Sequence, residues 1–535
     1  MTQFTHIIIG AGSAGCILAN RLSANPQHQV LLLEAGGKDS KPEIHIPGGY
    51  AKLHRSEVDW QFWTEPQEFV GGRKIYLPRG KTLGGSSSTN AMAYVRGSRH
   101  DYDEWAAMGN KGWGWNDVLP YFIRSEHNAQ FGAPYHGKEG PLNVTHLGQP
   151  AALTAYFLRA AAETGIPNIL DYNDGEQLGS HHLQFTIKDN RRHSAADAFL
   201  KPVMHRKNLT VVTHCLVEKI VIREGVAKGV VSRVKGVERI FSCSGEVILS
   251  AGAFQSPQIL MLSGIGDREE LARVGIPLVH HLPGVGKNLQ DHVWSGATGL
   301  SSIPSSNRYI KPMAQLKALM QYVFRKRGPL CAGPLEANAF VQSPKADARP
   351  DIQFHFVPLG LEADYSTDIY DLKTFPHHDG YAVLSILVRP QSRGYVTLAS
   401  NDPYAAPVIQ PNFFSAPQDQ ETLLWGLKKA IEIAEAPAFK SIGQGVNFPS
   451  QPSNDDELKA HIEKSLETLY HPVGTCKMGH DPMAVVDDQL RVHGIQKLRV
   501  IDASIMPTIT TGNTNAPVYM IAEKGSEFIG GRGSV

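Results

Sequence analysis

Three glycines spaced G-x-G-x-x-G, Gly10, Gly12 and Gly15 in IIIGAGSAG, are the first residues of this chain whose arrangement could hold a cofactor. Gly10 permits a tight turn, Gly12 lets backbone approach a pyrophosphate, and Gly15 lets a helix pack closely on a strand. The helix start then attracts negative charge. Ser13 and Ala14 complete the turn. Glu34, followed by Ala35, lies 19 residues beyond Gly15. A carboxylate there can accept hydrogen bonds from ribose hydroxyls and repel a 2′-phosphate. The pattern reads an adenosine diphosphate, which FAD and NAD share, so it does not choose between them.

A second stretch, GKTLGGSSSTNAMAYVRG over 80–97, supplies Thr82, Gly84, Gly85 and three serines before Asn90, with Met92 and Ala93 after it. Flexible backbone and many donors suit a second segment of an anionic ligand, although the stretch alone could be a plain loop. GAFQSPQILMLSGIG over 252–266 follows Ala251 and places Ser256 and Pro257 at an expected helix start. Packing alone could explain that pattern.

These residues need elements to aim them. An apolar run at Thr5–Ile9, a helical pattern over Ser13–Ala24 and a second apolar run at Gln29–Leu33 make a βαβ beginning. Farther on, Asp351–Val357 alternates as a half-buried strand does. Tyr381–Val388 and Tyr395–Leu398 flank PQSRG and predict an antiparallel hairpin. Helices are expected over Asp419–Glu435 and Asp455–Leu469, the second begun by Asn454 and Glu457 as in a capping box. Dinucleotide-type signals near residue 10, near residue 250 and toward residue 515 imply one domain assembled from separated segments.

Bulk properties narrow the classes. With 535 residues and 42% hydrophobic content, the chain can bury more than one core. A net charge of +1 with scattered cations supplies no basic stripe for nucleic acid. Five widely spaced cysteines without a C-x-x-C pair argue against a disulfide framework or a thiolate metal site, and point to a reducing, cytoplasmic setting. The adjacent pairs His181–His182, His280–His281 and His377–His378 lack metal-ligand spacing, so no metal is expected. No apolar run is long enough for a membrane span, which leaves peripheral contact with the inner membrane open.

In this order, IIIGAGSAG with Glu34, KTLGGSSSTN, GAFQSPQILMLSGIG, VGKNLQDH over 285–292, LYHPVGTCKMG and DASIMPTITTGNTNAP resemble the glucose-methanol-choline (GMC) oxidoreductases along essentially the whole chain. The branch most resembled is that of choline-dehydrogenase-like and FAD-dependent alcohol dehydrogenases. The resemblance implies a Rossmann-like FAD domain, a parallel sheet flanked by helices, from about 1–45, 75–100, 190–295 and 460–535. It also implies a substrate domain, an antiparallel sheet covered by helices, from about 46–74, 101–189 and 296–459. It places Asn90 and Ala93 along the flavin, Val217 at the adenine, Asp502 with Ala503 near the ribityl and pyrophosphate, and Thr514 by the cofactor. Where some members carry a histidine that bonds FAD covalently, this chain has Thr89, so FAD is expected to be non-covalent.

The same resemblance implies a catalytic pair, His471 and Asn513, where many members have two histidines. Alcohol oxidation must remove a hydroxyl proton as hydride leaves for flavin N5, so a base is required. His471, set before Pro472 in extended backbone, is that base. An alcohol of pKa near 16 and an imidazole near 6.5 differ by about 13 kcal/mol. Proton and hydride must therefore move nearly together, or donors such as Asn513 must stabilise the alkoxide. Pro517 is expected to start a helix whose positive end faces reduced flavin. His355, Glu336 and Tyr470 are candidate substrate contacts, His355 equally suited to a cross-strand hydrogen bond. The expected partners are a small-molecule alcohol and an electron acceptor: a quinone, a cytochrome or oxygen. Rival readings are a hydroxynitrile lyase of this fold, a choline-specific dehydrogenase, an NAD-dependent dehydrogenase and a non-catalytic flavin-binding partner protein.

Overall fold

Ile7, Ile8, Leu31 and Leu32 place apolar side chains on both faces of their strands, which requires a sheet covered on both sides. The computed structural model, which describes residues 3–449 and 454–530, has that architecture. β1 (Phe4–Ile9), α1 (Ser13–Leu22) and β2 (Val30–Leu33) form the opening βαβ unit, with Ile7 beside Leu31 and Ile8 beside Leu32 in parallel register. The later strands are β3 (Leu209–Val212), β4 (Cys215–Arg223), β5 (Val226–Val234), β6 (Val237–Leu249) and β7 (Leu498–Val500). The order across the sheet is β3-β2-β1-β6-β5-β4, with β7 also on β6. β6 serves two partnerships: its first half pairs antiparallel with β5, its second half parallel with β1 and β7. α2 (Gly252–Leu262) follows β6, and α3 (Asn515–Gly530) packs along α1.

A second sheet is antiparallel throughout. Its order is Val446–Phe448, Val293–Leu300, Gly380–Leu387, Ile352–Val357, Ala337–Val341 and Gly179–His182, with Glu467–Thr468 also on Val293–Leu300. Helices Ala152–Glu163 and Pro417–Ala434 cover one face, where Phe157, Ile352, Phe354, Phe356 and Ile433 share a core. The other face meets the cavity described below.

Four local expectations are corrected. The strand at Ile352–Val357 is buried along nearly its whole length rather than half-buried, because His355 and Val357 on its second face line an internal cavity and not the outer surface. The strands flanking PQSRG do not pair. Gly380–Leu387 belongs to the large sheet, while Gly394–Thr397 pairs with Lys287–Leu289 and Val408–Gln410. The Asp419 carboxylate accepts the Gln391 and Ser392 N–H groups at 2.7 and 2.8 Å, pinning this turn to a helix and sending the chain away. α2 begins at Gly252, so Pro257 lies inside it. Proline cannot donate to the Ala253 carbonyl one turn back, and the Thr475 hydroxyl donates to that carbonyl instead at 2.6 Å. The helix after Asn454 stops at Ser465, short of Leu469; Glu467 and Thr468 are drawn onto the second sheet. Residues 1–2, 450–453 and 531–535 of the expected domain ranges lie outside the described residues.

Candidate active site

Ligands of open α/β sheets bind beyond the carboxyl ends of the strands. There a cavity of about 1300 Å³ begins at β1 and β2 and continues to the face of the second sheet. Gly10 turns the chain with φ +98°, and a Cβ on it would lie 2.5 Å from the Ser250 carbonyl oxygen. A Cβ on Gly85 would come within 2.7 Å of Gly12 Cα, so the two turns meet only because residue 85 has no side chain. The first turn of α1 opens into the cavity through Gly12, Ser13 and Ala14; Asn513, Thr514 and Asn515 bring in the start of α3. Two helix starts thus present unpaired N–H groups and positive potential. Glu34 accepts the Ala11 and Gly36 N–H groups, both at 2.8 Å, and burial pushes its pKa up to about 7. The glycine floor, helix starts and buried carboxylate fit a dinucleotide such as FAD.

At the other end His471 is held by backbone and ring together. Tyr470 before it has φ +66°, and the His471 N–H donates to Asp291 at 2.7 Å. Thr468 donates its hydroxyl to the same carboxylate, whose pKa burial raises to about 6. His471 Nδ1 lies 3.0 Å from His292 Nδ1, and His292 Nε2 lies 3.1 Å from the Val388 carbonyl oxygen. A carbonyl only accepts, so His292 carries its proton on Nε2 and offers a bare Nδ1. His471 must then carry its proton on Nδ1, leaving Nε2 as an acceptor. Asn513 Nδ2 stands 3.3 Å from that Nε2. Burial, His292, His355 and Arg79 hold the His471 pKa well below the ordinary histidine value, so this ring is neutral at pH 7. The arrangement presents one basic nitrogen and one amide donor to the same point.

Two family models, both described as GMC oxidoreductase, match residues 4–294 and 390–522. The chain belongs to the GMC oxidoreductase family. It is 42% identical to an alcohol dehydrogenase [acceptor] of Pseudomonas putida, over 98% of this chain and 96% of that protein. Identity to the mitochondrial choline dehydrogenase of Homo sapiens is 39%, over 99% and 90% of the two chains. The structure also resembles an Aspergillus oryzae RIB40 formate oxidase variant described for its effect on FAD modification. There the TM-score is 0.91 at 30% identity, over 99% of each chain.

Within this GMC cavity the structure gathers most of the sequence candidates. Gly10, Gly12, Ser13, Ala14, Glu34, Ala35, Gly85, Asn90, Met92, Ala93, Val217, Ala251, Asp502, Ala503 and Thr514 all line it, as do His355, Tyr470, His471 and Asn513. Gly15, Thr82 and Gly84 stand behind the wall. A Cβ on Gly15 would lie 1.9 Å from the Gly10 carbonyl oxygen, Thr82 donates to Gly37, and Gly84 N–H donates to Ala11 at 2.7 Å. Asp502 accepts the Gly252 N–H at 2.8 Å and the Ser256 hydroxyl, so it anchors the start of α2. α3 begins at Asn515, two residues before Pro517.

Glu336 is corrected. Its carboxylate accepts the Ala151 N–H and the Thr154 hydroxyl, both at 2.6 Å, and it caps the Ala152–Glu163 helix instead of lining the cavity. His355 does face the cavity, with Nε2 3.0 Å from Gln353 of its own strand, and Gln353 donates to Asn513 at 3.4 Å. Burial lowers the His355 pKa to about 3.

The residues missed from sequence were those that orient others. Asp291 and His292 end the VGKNLQDH motif, yet nothing in that motif says that they meet His471. Arg192, fully buried, donates to Asn90 Oδ1 at 2.8 Å and fixes its amide; no spacing signal marks it. Asp39, His45 and Asp197 cluster at metal-ligand distances. The Lys201 ammonium already bridges the two carboxylates at 2.6 and 2.7 Å. Among the described residues no helix is long and apolar enough to cross a membrane.

Proposed function

We propose that this GMC oxidoreductase holds FAD non-covalently and oxidises an apolar alcohol to an aldehyde or ketone. FAD, when bound, supplies the hydride acceptor and is returned to its oxidised form by a quinone-type acceptor or oxygen. Glu34, the Gly10–Gly15 turn and Val217 would hold its adenosine half. Asn90, Ala93 and the start of α3 would hold the flavin half, and Thr89, which lines the cavity, has no ring nitrogen to form a covalent link. The first sheet and its flanking segments serve the cofactor, the second sheet the substrate. The five cysteines, all free, suit a reducing cytoplasmic setting.

His471 Nε2 takes the hydroxyl proton, and Asn513 Nδ2 donates to the oxygen as negative charge develops. The observation that carries this reading is the chain from the Val388 carbonyl through His292 to His471, which leaves the cavity-facing nitrogen unprotonated and able to accept, from Asn513 in this structure and from a substrate hydroxyl in its place. Around His355 the second sheet presents Trp294, Val357, Ala382 and Leu384 to the cavity. An apolar wall of this kind favours an aliphatic or aromatic alcohol over a polyol. The acid that would have met a choline ammonium, Glu336, is engaged elsewhere.

The test is an anaerobic titration of flavin absorbance with apolar alcohols, polyols and choline. Bleaching by apolar alcohols is expected, and His471→Ala should keep its flavin but reduce it about 10²- to 10⁴-fold more slowly. A yellow protein that resists every alcohol and cleaves a cyanohydrin would make the cofactor structural.

A further inference from the structure

Helix Pro312–Arg325 wears its apolar side outward. Met313, Leu316, Met320, Val323 and Phe324 follow one another at steps of three, four, three and one, which places them on a single stripe of a helix. All are exposed, Met313 at 76% and Phe324 at 78%. The inward side is held by Ala318 and Tyr322, and the Tyr322 hydroxyl donates to the Asn190 carbonyl at 3.1 Å. An ordinary surface helix would bury the stripe and expose the polar residues.

The charge around the stripe has one sign. Residues 304–335 contain Arg308, Lys311, Lys317, Arg325, Lys326 and Arg327 and no aspartate or glutamate. Arg308 is held by Asp379 at 2.7 Å; among the described residues the other five have no acidic ion-pair partner. The adjoining turn, whose Asn190 side chain donates to the Lys326 carbonyl, adds Lys188 and Arg191 against Asp189. Leu316 and Leu319 belong both to this exposed face and to the cavity lining, so the stripe borders the way into the site.

We infer that this helix is a docking surface for an anionic phospholipid bilayer. Apolar side chains enter the acyl boundary, and the flanking lysines and arginines meet phosphate headgroups. Charge complementarity selects this occupant over a second copy of the chain: two such faces together would bring the five unpaired cations of each 304–335 segment, ten in all, against one another with no acid from either segment. Docking in this pose places the cavity entrance against the lipid surface.

The experiment is co-sedimentation of the FAD-loaded protein with phosphatidylcholine vesicles, with and without phosphatidylglycerol. Binding is expected only when phosphatidylglycerol is present, weakening with salt. Met320→Ser with Phe324→Ser should lower the partition coefficient at least about tenfold with unchanged melting temperature. Arg325→Gln with Arg327→Gln should weaken the preference for phosphatidylglycerol. Wild-type binding that the serine variant retains in full would overturn the inference. So would a wild-type dimer that ignores vesicles and becomes monomeric in that variant. Neither readout uses alcohol oxidation, so failure here and failure of the proposed reaction are distinguishable.

Discussion

A histidine can serve as a base at one nitrogen only if something decides which nitrogen is bare. Here the decision is made by a carbonyl two rings away: Val388 fixes His292, and His292 fixes His471. His292→Leu should therefore retain FAD yet slow flavin reduction by about 10- to 100-fold, since the ring can then adopt either tautomer. The pH profile separates this from simple loosening of the fold. In the wild type the His471 pKa lies well below 6.5, so its base form persists at neutral pH and the acid limb of flavin reduction falls below pH 6.5. Burial is the main cause of that lowering and leucine preserves it, so in His292→Leu the limb should stay below pH 6.5 while the plateau rate falls, as stopped-flow reduction across pH would reveal. His471 and Asn513 could be singled out in the sequence because each sits inside a distinctive string of neighbours, and the structure sets them side by side in the cavity. Asp291 and His292 were written there equally plainly, but their role depends on a meeting across some 180 positions that no local pattern encodes.

At the scale of elements, the periodic segments were readable and their partners were not. β1, α1 and β2 follow from apolar spacing and glycine placement, and the helix over Pro417–Ala434 from its repeat of leucines. The strand pair around PQSRG was misread because a turn sequence specifies a bend and not what the following strand will join; Asp419, far along the chain, settles that. Glu336 was misread for a similar reason. A carboxylate just before a strand can face a substrate or cap a neighbouring helix, and only the packing of Ala152–Glu163 against the sheet distinguishes them. Glu336→Gln should cost about 0.5–2 kcal/mol of stability, seen as a lower melting temperature. The KM for alcohols should be unchanged; a selective rise in KM for a cationic alcohol would restore Glu336 to the substrate site.

Across the whole molecule, the segments between the sheets are held by polar knots as well as by apolar cores. Arg96 and Glu126 form a fully buried pair at 2.7 Å, and His136 links Glu126 to Asp171, each at 2.8 Å. Arg96 follows the Asn90–Ala93 stretch that lines the cavity, so this knot ties the site to the layer behind it. Glu126→Ala would strand a buried guanidinium and should cost about 3–5 kcal/mol, measurable by denaturant unfolding. Another tie is shorter in space and longer in sequence: the Ser13 hydroxyl donates to Asn515 Oδ1 at 2.7 Å, and α1 lies along α3. Two neighbouring stretches of the cavity wall thus come from positions 502 residues apart. That stretch of wall does not exist until the segment around residue 515 has joined α1, so full seating of a dinucleotide waits on a segment translated long after the glycine turn it completes.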